Sequence, residues 1–200
     1  INPGELDIFD GSPPCQGFST SGKRNFSDDR NQLFREYTRL LRGLMPKVFI
    51  MENVSGMVKG KMKIIFAEIT RELKSCGYRV SARLLNAKYF GVPQSRERII
   101  FIGTRNDLEI QPTHPGALFF VVTTKQAIAG CGTSLIPMLS PGLRRIIPFI
   151  PVWGDGGDVT GKSYFGTKRL SLEKPSRTII KEMTGTRTAL IHPIEDRAIN

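Results

Sequence analysis

The sequence predicts an α/β chain: an open sheet whose strands alternate with helices, followed by a smaller irregular region. Three observations carry this. Short apolar or alternating runs of strand length recur at 5–10, 47–51, 78–85 and 99–103. Stripes of apolar residues at helical spacing stand between the first three of them. Beyond about residue 105 that periodicity gives way to Pro and Gly, which marks a boundary. Strand–helix–strand–helix–strand is the rhythm of an open α/β sheet.

Residues 5–10 (ELDIFD) read as a short buried strand that runs into the turn-forming GSPP. Residues 16–28 are rich in Gly, Ser, Asn and Asp and form a loop. Asp28 and Asp29 are expected to open the first helix, at the end where the macrodipole favours acids. Its stripe is Leu33, Phe34, Tyr37, Leu40, Leu41 and Leu44, and Pro46 ends it. Residues 47–51 (KVFIM) form a buried strand of the kind parallel sheets use.

A loop containing Gly56 and Gly60 leads to a second helix with Met62, Ile65, Phe66, Ile69 and Leu73 on one face, closed by Cys76-Gly77. The strands at 78–85 and 99–103 are separated by the turn-like GVPQ, too short a link for a helical crossover, so they should run antiparallel. Residues 110–165 show one short helix, at 123–129. Gly154-Asp155-Gly156-Gly157 reads as a turn, and Trp153 as a core residue.

At 40% hydrophobic residues the 200-residue chain can bury one sizeable core. No apolar run approaches the roughly 18 residues that a membrane span needs. Position 1 is Ile with no charged-then-apolar leader, so no signal peptide is expected and an excised segment or partial reading frame is. Twenty-nine Lys and Arg against 18 Asp and Glu leave a net charge of +11, suited to a polyanionic partner and equally to a merely basic enzyme. Cys15, Cys76 and Cys131 are odd in number and lack CxxC spacing, which argues against a disulfide framework or zinc site and for a reducing cytoplasm.

Three motifs can carry chemistry. In GSPPCQGFS at 11–19 two prolines stiffen the turn after a strand and place Cys15 where ligands gather in open α/β folds. There it suits a nucleophile, or a small buried hydrophobe. In MENV at 51–54, Glu52 ends the next strand, either as a carboxyl that donates to a ring nitrogen or as the exposed start of a loop. In GVPQSRERIIFIG at 91–103, Arg96 and Arg98 are two apart and so share one face of a strand, with Glu97 on the other. Two guanidiniums there suit a carbonyl oxygen, a phosphate or a thiolate, or guard an edge strand.

Taken in order, Pro13-Pro14-Cys15-Gln16, Glu52-Asn53-Val54 and Gln94-x-Arg96-x-Arg98 resemble three signature blocks of the DNA cytosine-5 methyltransferase family, in particular its bacterial restriction–modification type. The resemblance is dense from Asp7 to Arg105 and returns from Arg169 to Arg197, at RLSLEKPSRTI and HPIEDR. It implies part of a Rossmann-like S-adenosylmethionine-dependent methyltransferase sheet with a smaller irregular target-recognition region. Residues 1–105 are then the catalytic α/β domain, 106–175 the target-recognition region and 176–200 a return segment.

The resemblance also implies roles. Cys15 matches the nucleophile that adds to carbon 6 of a flipped-out cytosine, Glu52 the carboxyl at the ring's N3, and Arg98 the arginine at its O2, with Arg96 as supporting cation. Asn53 and Gln94 support the site, Asn53 by bracing the cysteine loop, and Pro14 touches the methyl donor. The segment from Gln16 to Arg30 matches a mobile catalytic loop, in which Gln16, Ser19, Ser21, Lys23 and Arg30 face DNA. Arg144, Arg145, Lys162, Lys168 and Arg169 are candidate phosphate or base contacts in the recognition region. The expected partner is double-stranded DNA, met in the cytoplasm without a membrane, by a monomer or by a chain that a missing segment complements.

The sequence departs from the family pattern in lacking the opening Phe-x-Gly-x-Gly loop, the acidic residues that follow it and the closing Gly-Asn-x-Val block. A fragment that binds S-adenosylmethionine weakly by itself is therefore expected. The rival readings are a catalytically incompetent DNA-binding module, a tRNA cytosine-5 methyltransferase and a Cys–His hydrolase. The tRNA branch carries a Cys-Phe-Thr segment, whereas Cys131 is followed by Gly-Thr. The hydrolase needs an activating His, and His114 and His192 both precede Pro outside the α/β part.

Overall fold

The four apolar runs of the first half assemble into one sheet. In the computed structural model, residues 1–14, 32–58, 63–131, 139–162, 167–179 and 190–199 are described. The strands are β1 (Ile8–Gly11), β2 (Val48–Val54), β3 (Tyr78–Asn86), the two-residue β4 (Gln94–Ser95) and β5 (Glu97–Arg105). The sheet has the order β1-β2-β5-β3. β1 and β2 are parallel, from Ile8↔Val48 to Gly11↔Met51, and β2 and β5 are antiparallel, from Val48↔Thr104 to Val54↔Arg98.

Two helices, α1 (Gln32–Leu44) and α2 (Lys63–Ser75), cover one face of this sheet. β2 alternates strictly: Phe49, Met51 and Asn53 are buried, while Val48, Ile50, Glu52 and Val54 are half-buried. Phe49 and Met51 meet Tyr37 and Leu41 of α1, Ile69 and Leu73 of α2, and Ile99 and Phe101 of β5. Each such fully buried side chain contributes about 1.5–3 kcal/mol. Phe49 stands edge-on to Tyr37 and Tyr78, with ring centroids 6.3 and 5.2 Å away. Gly103 makes room for it, since a Cβ there would lie 2.0 Å from the Phe49 ring.

Three expectations change here. Among the described residues β1 is at an edge of the sheet, with Ile8 58% exposed, and not a buried strand, because of the described strands β2 alone pairs with it. β2 runs on to Val54, because the ladder with β5 extends three residues beyond its last pair with β1. Glu52 is consequently an interior residue of β2 and not its end. The predicted helix-opening Asp28 and Asp29, and Met62, lie outside the described residues.

The chain divides into two compact units, Ile1–Leu85 with Glu97–Gly116, and Asn86–Arg96 with Ala117–Asn200. The second holds α3 (Thr124–Ile128), α4 (Pro141–Ile146), α5 (Gly156–Thr160), β6 (Lys168–Arg169), β7 (Ser176–Arg177) and β8 (Leu190–Ile191). The short helix expected at 123–129 is α3, closed at its start by a capping box between Thr123 and Gln126. β4 pairs parallel with β7, and β6 parallel with β8.

A small core of Leu139, Leu143, Ile147, Ile150, Ile191 and Ala198 sits among these pieces. Gly154–Gly157 is not a turn but the start of α5: Asp155 caps it, accepting from Gly157 N at 2.7 Å, and pairs with Lys168. Among the described residues no helix is long and apolar enough to cross a membrane.

Candidate active site

Parallel pairing brings the carboxyl ends of β1 and β2 to the same edge of the sheet, where ligands of open α/β folds collect. Gly11 is the last residue of β1 and pairs with Met51. Pro13 and Pro14 follow, and having no N–H they cannot extend the ladder. Gly11 is needed for close packing: a Cβ there would lie 2.6 Å from the Tyr37 ring. The Tyr37 hydroxyl in turn donates to the Ile50 carbonyl at 3.2 Å, so α1 braces both strands one step before the edge. Burial pushes that phenol well above its ordinary pKa, which keeps it a donor.

Beyond Met51 the site is built by β2 and β5. Glu52 faces Ile100 and Val54 faces Arg98, so Glu52 and Arg98 are diagonal neighbours on one face. Their side chains meet, Arg98 Nε to Glu52 Oε1, at 2.5 Å, with about a quarter to a third of each exposed (23% and 33%). Arg98 also donates from Nη1 to the Glu97 carbonyl at 2.8 Å. A carboxyl group and a guanidinium held side by side at a half-open edge present a group that donates when it carries a proton next to several fixed donors. That suits a planar ring carrying a nitrogen and a carbonyl oxygen on adjacent positions.

Asn53 points to the opposite face and is buried. Its Nδ2 donates to the Pro13 carbonyl at 3.2 Å, and its Oδ1 accepts from Val54 N at 2.8 Å. The side chain therefore ties β2 to the segment that leads into Cys15. Pro13 is buried and Pro14 exposed.

Cys15 itself, with Gln16, Ser19, Ser21, Lys23 and Arg30, lies outside the described residues. Gln94 and Arg96 belong to the second unit. Gln94 pairs with Ser176 between β4 and β7. Arg96 does not sit on one continuous strand with Arg98. It occupies the break between β4 and β5, where its N donates to Asn86 Oδ1 at 3.2 Å and its carbonyl accepts from Ala87 N at 3.0 Å. Strand alternation thus does not put the two arginines on one face.

Arg169 is a correction of another kind. Its guanidinium is buried and donates to the carbonyls of Ile150 and Ile147 at 2.8 and 2.7 Å and to Asp196 Oδ1 at 2.6 Å. So saturated, it has no donor to offer a phosphate or base. Of the other candidate contacts, Lys168 is paired with Asp155, and Arg144, Arg145 and Lys162 are exposed. His192 Nδ1 already accepts from the amides of Ile194 and Glu195.

A cavity of about 570 Å³ in the first unit, lined by Pro3, Gly4, Met45, Gly77 and Arg105, is at the other end of the strands, ahead of β1 and beyond β5. Its arginine is tied to Asp107 and to the Met45 carbonyl, which does not fit a cationic sulfonium donor. Pro14 is the one described residue that stands where a donor contact is expected, and a single proline does not make a donor pocket.

The family profile described as C-5 cytosine-specific DNA methylase matches residues 1–131. This chain belongs to that family. Within the C-5 cytosine-specific methylases, the Type II methyltransferase M1.HphI of Haemophilus parahaemolyticus is 46% identical over 153 residues, 74% of this chain and 39% of that protein. The Type II methyltransferase M.Sau96I of Staphylococcus aureus is 33% identical over 217 aligned positions, 96% of this chain and 50% of that protein. The matches span between 25% and 55% of the length of these curated relatives. A crystal structure described as a DNA modification methyltransferase encoded within a prophage of E. coli superposes with a TM-score of 0.71 at 20% identity, covering 96% of this chain and 65% of the other, a likeness of fold. The mixed sheet of this chain is thus of the same fold as that structure.

Sequence reasoning did not single out Tyr37, although it sets the spacing of Gly11 and Ile50. Its only local signal is a hydroxyl within an apolar helical stripe.

Proposed function

We propose that the protein methylates carbon 5 of a cytosine flipped out of duplex DNA, through a covalent bond from Cys15 to carbon 6. The observation that carries this is the Glu52–Arg98 pair, 2.5 Å apart on the strand edge one residue past the end of β1. The target atoms of a stacked cytosine are inaccessible, so the base has to leave the helix. In the edge it then meets, Arg98 donates to the ring's O2 while the Glu52 carboxyl, carrying a proton, donates it to N3. Both contacts draw electron density out of the ring as the Cys15 thiolate bonds to carbon 6.

The pair of electrons from the 5,6-double bond moves to carbon 5, which takes the methyl group. Loss of the carbon-5 proton and departure of the Cys15 sulfur restore the double bond. S-adenosylmethionine, the donor that membership of the family implies, supplies an electrophilic methyl group when bound. Asn53 acts as a positioning residue by holding Pro13, two residues before the nucleophile.

In this reading residues 106–175 read the target sequence through the major groove. The protein serves a bacterial restriction–modification system in the cytoplasm, as a monomer or complemented by a further segment.

Duplex DNA carrying 5-fluorocytosine tests the chemistry, because fluorine at carbon 5 cannot leave as a proton and the adduct persists. With the methyl donor present, the full-length protein is expected to form a protein–DNA adduct stable to denaturation, and Cys15→Ser should abolish it. An adduct that survives Cys15→Ser, or none with sequence-diverse duplexes, sinks the proposal.

A further inference from the structure

In the second unit three side chains converge that neither the fold nor the reaction above requires. The Arg177 guanidinium lies over the Trp153 ring at 4.4 Å from its centroid, and Lys174 Nζ lies over the same ring at 4.8 Å. Each is anchored through its backbone. Arg177 is paired with Ser95 in the β4–β7 ladder. The Lys174 carbonyl accepts from Thr124 N and Oγ1 at 2.9 and 2.7 Å. Trp153 N donates to the Arg169 carbonyl at 3.0 Å. Trp153 is also held at φ +70°, a left-handed conformation costly for so bulky a residue, of the kind that concentrates at working sites.

The charges make the cluster more than a packing contact. Both cations lie on one ring and so are no more than roughly 9 Å apart, where like charges repel. Among the described residues neither has a carboxylate partner. Arg177 Nε is sealed from solvent without an acceptor. Arg169 shows the alternative in the same unit, with its donors spent on carbonyls and a carboxylate. A guanidinium stacked on an indole, in contrast, has its face occupied, and with Nε sealed in it is the Nη groups of Arg177 that are left for an anion such as a phosphate. A phosphate at each cation, from one continuous backbone, offsets their repulsion.

We propose that Trp153, Lys174 and Arg177 form a clamp for the phosphodiester backbone of the bound DNA, fixing register without reading bases. The inference rests on the reading of duplex DNA as the substrate.

The test is the salt dependence of binding to a short duplex, measured by fluorescence anisotropy for the protein and its variants. Each phosphate neutralised adds about 0.9 to the slope of log affinity against log salt. Lys174→Gln and Arg177→Gln should each lower that slope by about 1, and the double variant by about 2, equally for cognate and unrelated duplexes. Lys174→Arg should restore it. Lys174 is exposed, so Lys174→Gln leaves the fold intact and decides the matter even if Arg177→Gln destabilises the unit. A wild-type slope in Lys174→Gln overturns the clamp. So does a loss confined to one target sequence, which would mark base reading instead. The 5-fluorocytosine adduct separates the two proposals: an adduct with an unchanged slope removes only the clamp, whereas a reduced slope without any adduct removes only the methyl transfer.

Discussion

The two units of this chain use arginine and apolar side chains in opposite ways. In the first, strand and helix stripes bury Phe49, Met51, Leu41 and Leu73 together, and the arginine that matters, Arg98, stays at a half-open edge beside Glu52. In the second, the one core cluster among the described residues has six buried residues, and the buried arginine Arg169 ties the carbonyls of 147 and 150 to Asp196. Capping boxes at Thr123 and Asp155 and the Asp155–Lys168 pair complete it. A region with few apolar contacts has to satisfy its backbone through side chains, since an unpaired buried carbonyl costs about as much as a lost hydrogen bond. The same residue type is therefore left for chemistry in one unit and consumed by structure in the other.

That contrast can be broken most directly in the first unit. Phe49→Ala should cost about 3–5 kcal/mol, because it empties the centre of the sheet-and-helix core. Hydrogen exchange should then show β2 and β5 losing protection while β6 and β8 keep theirs. Equal loss in both units would mean that they do not differ in what holds them.

In the second unit, Arg169→Ala should cost about 3 kcal/mol, since it strands several buried acceptors at once. Protection should fall around 147–150 and 190–192 and be retained in β2. An effect below about 0.5 kcal/mol, the range of an ordinary surface change, would show that the carbonyl network is not what organises this unit.

The smallest effect is a pH dependence. His192 Nδ1 accepts from the amides of Ile194 and Glu195 at 3.3 and 3.0 Å, an arrangement that requires the neutral ring. Burial first, then the nearby Arg197 and Arg169, lowers its pKa, against an opposing pull from Glu195. The unfolded chain thus binds the proton more readily than the folded one. Its stabilising contribution is complete above the unfolded value of about 6.5 and is lost as the pH falls through that value towards the folded one. Thermal melts followed in the second unit should drop between pH 7 and pH 5, and His192→Asn, whose carbonyl can accept the same amides, should flatten the drop. An identical drop in the variant would assign it to other groups.

These contrasts track what was legible beforehand. The elements of the first unit follow from periodicity: the stripe from Leu33 to Leu44 is α1, and the alternation from Tyr78 is β3. The signature blocks named Glu52, Asn53 and Arg98, and the fold places the first and third in contact and the second against Pro13. The second unit was much less readable. Gly154–Gly157 looked like a turn because Gly marks turns, but Asp155 supplies the cap that makes it a helix start. Arg169 looked like a nucleic-acid contact because a single sequence does not show which basic side chains are buried. Trp153, expected in the core, is only half-buried and carries two cations.

What the sequence by itself determined was the set of elements in the first unit, their apolar faces and the family, because strand and helix periods and short signature blocks are local. What only the tertiary structure decided was the insertion of β5 between β2 and β3, the diagonal meeting of Glu52 and Arg98, and the fates of Arg98, Arg169 and Arg177. Those depend on contacts between residues far apart in the chain. The free energy of burying or pairing a charge is set by what surrounds it in space, and not by its neighbours in sequence.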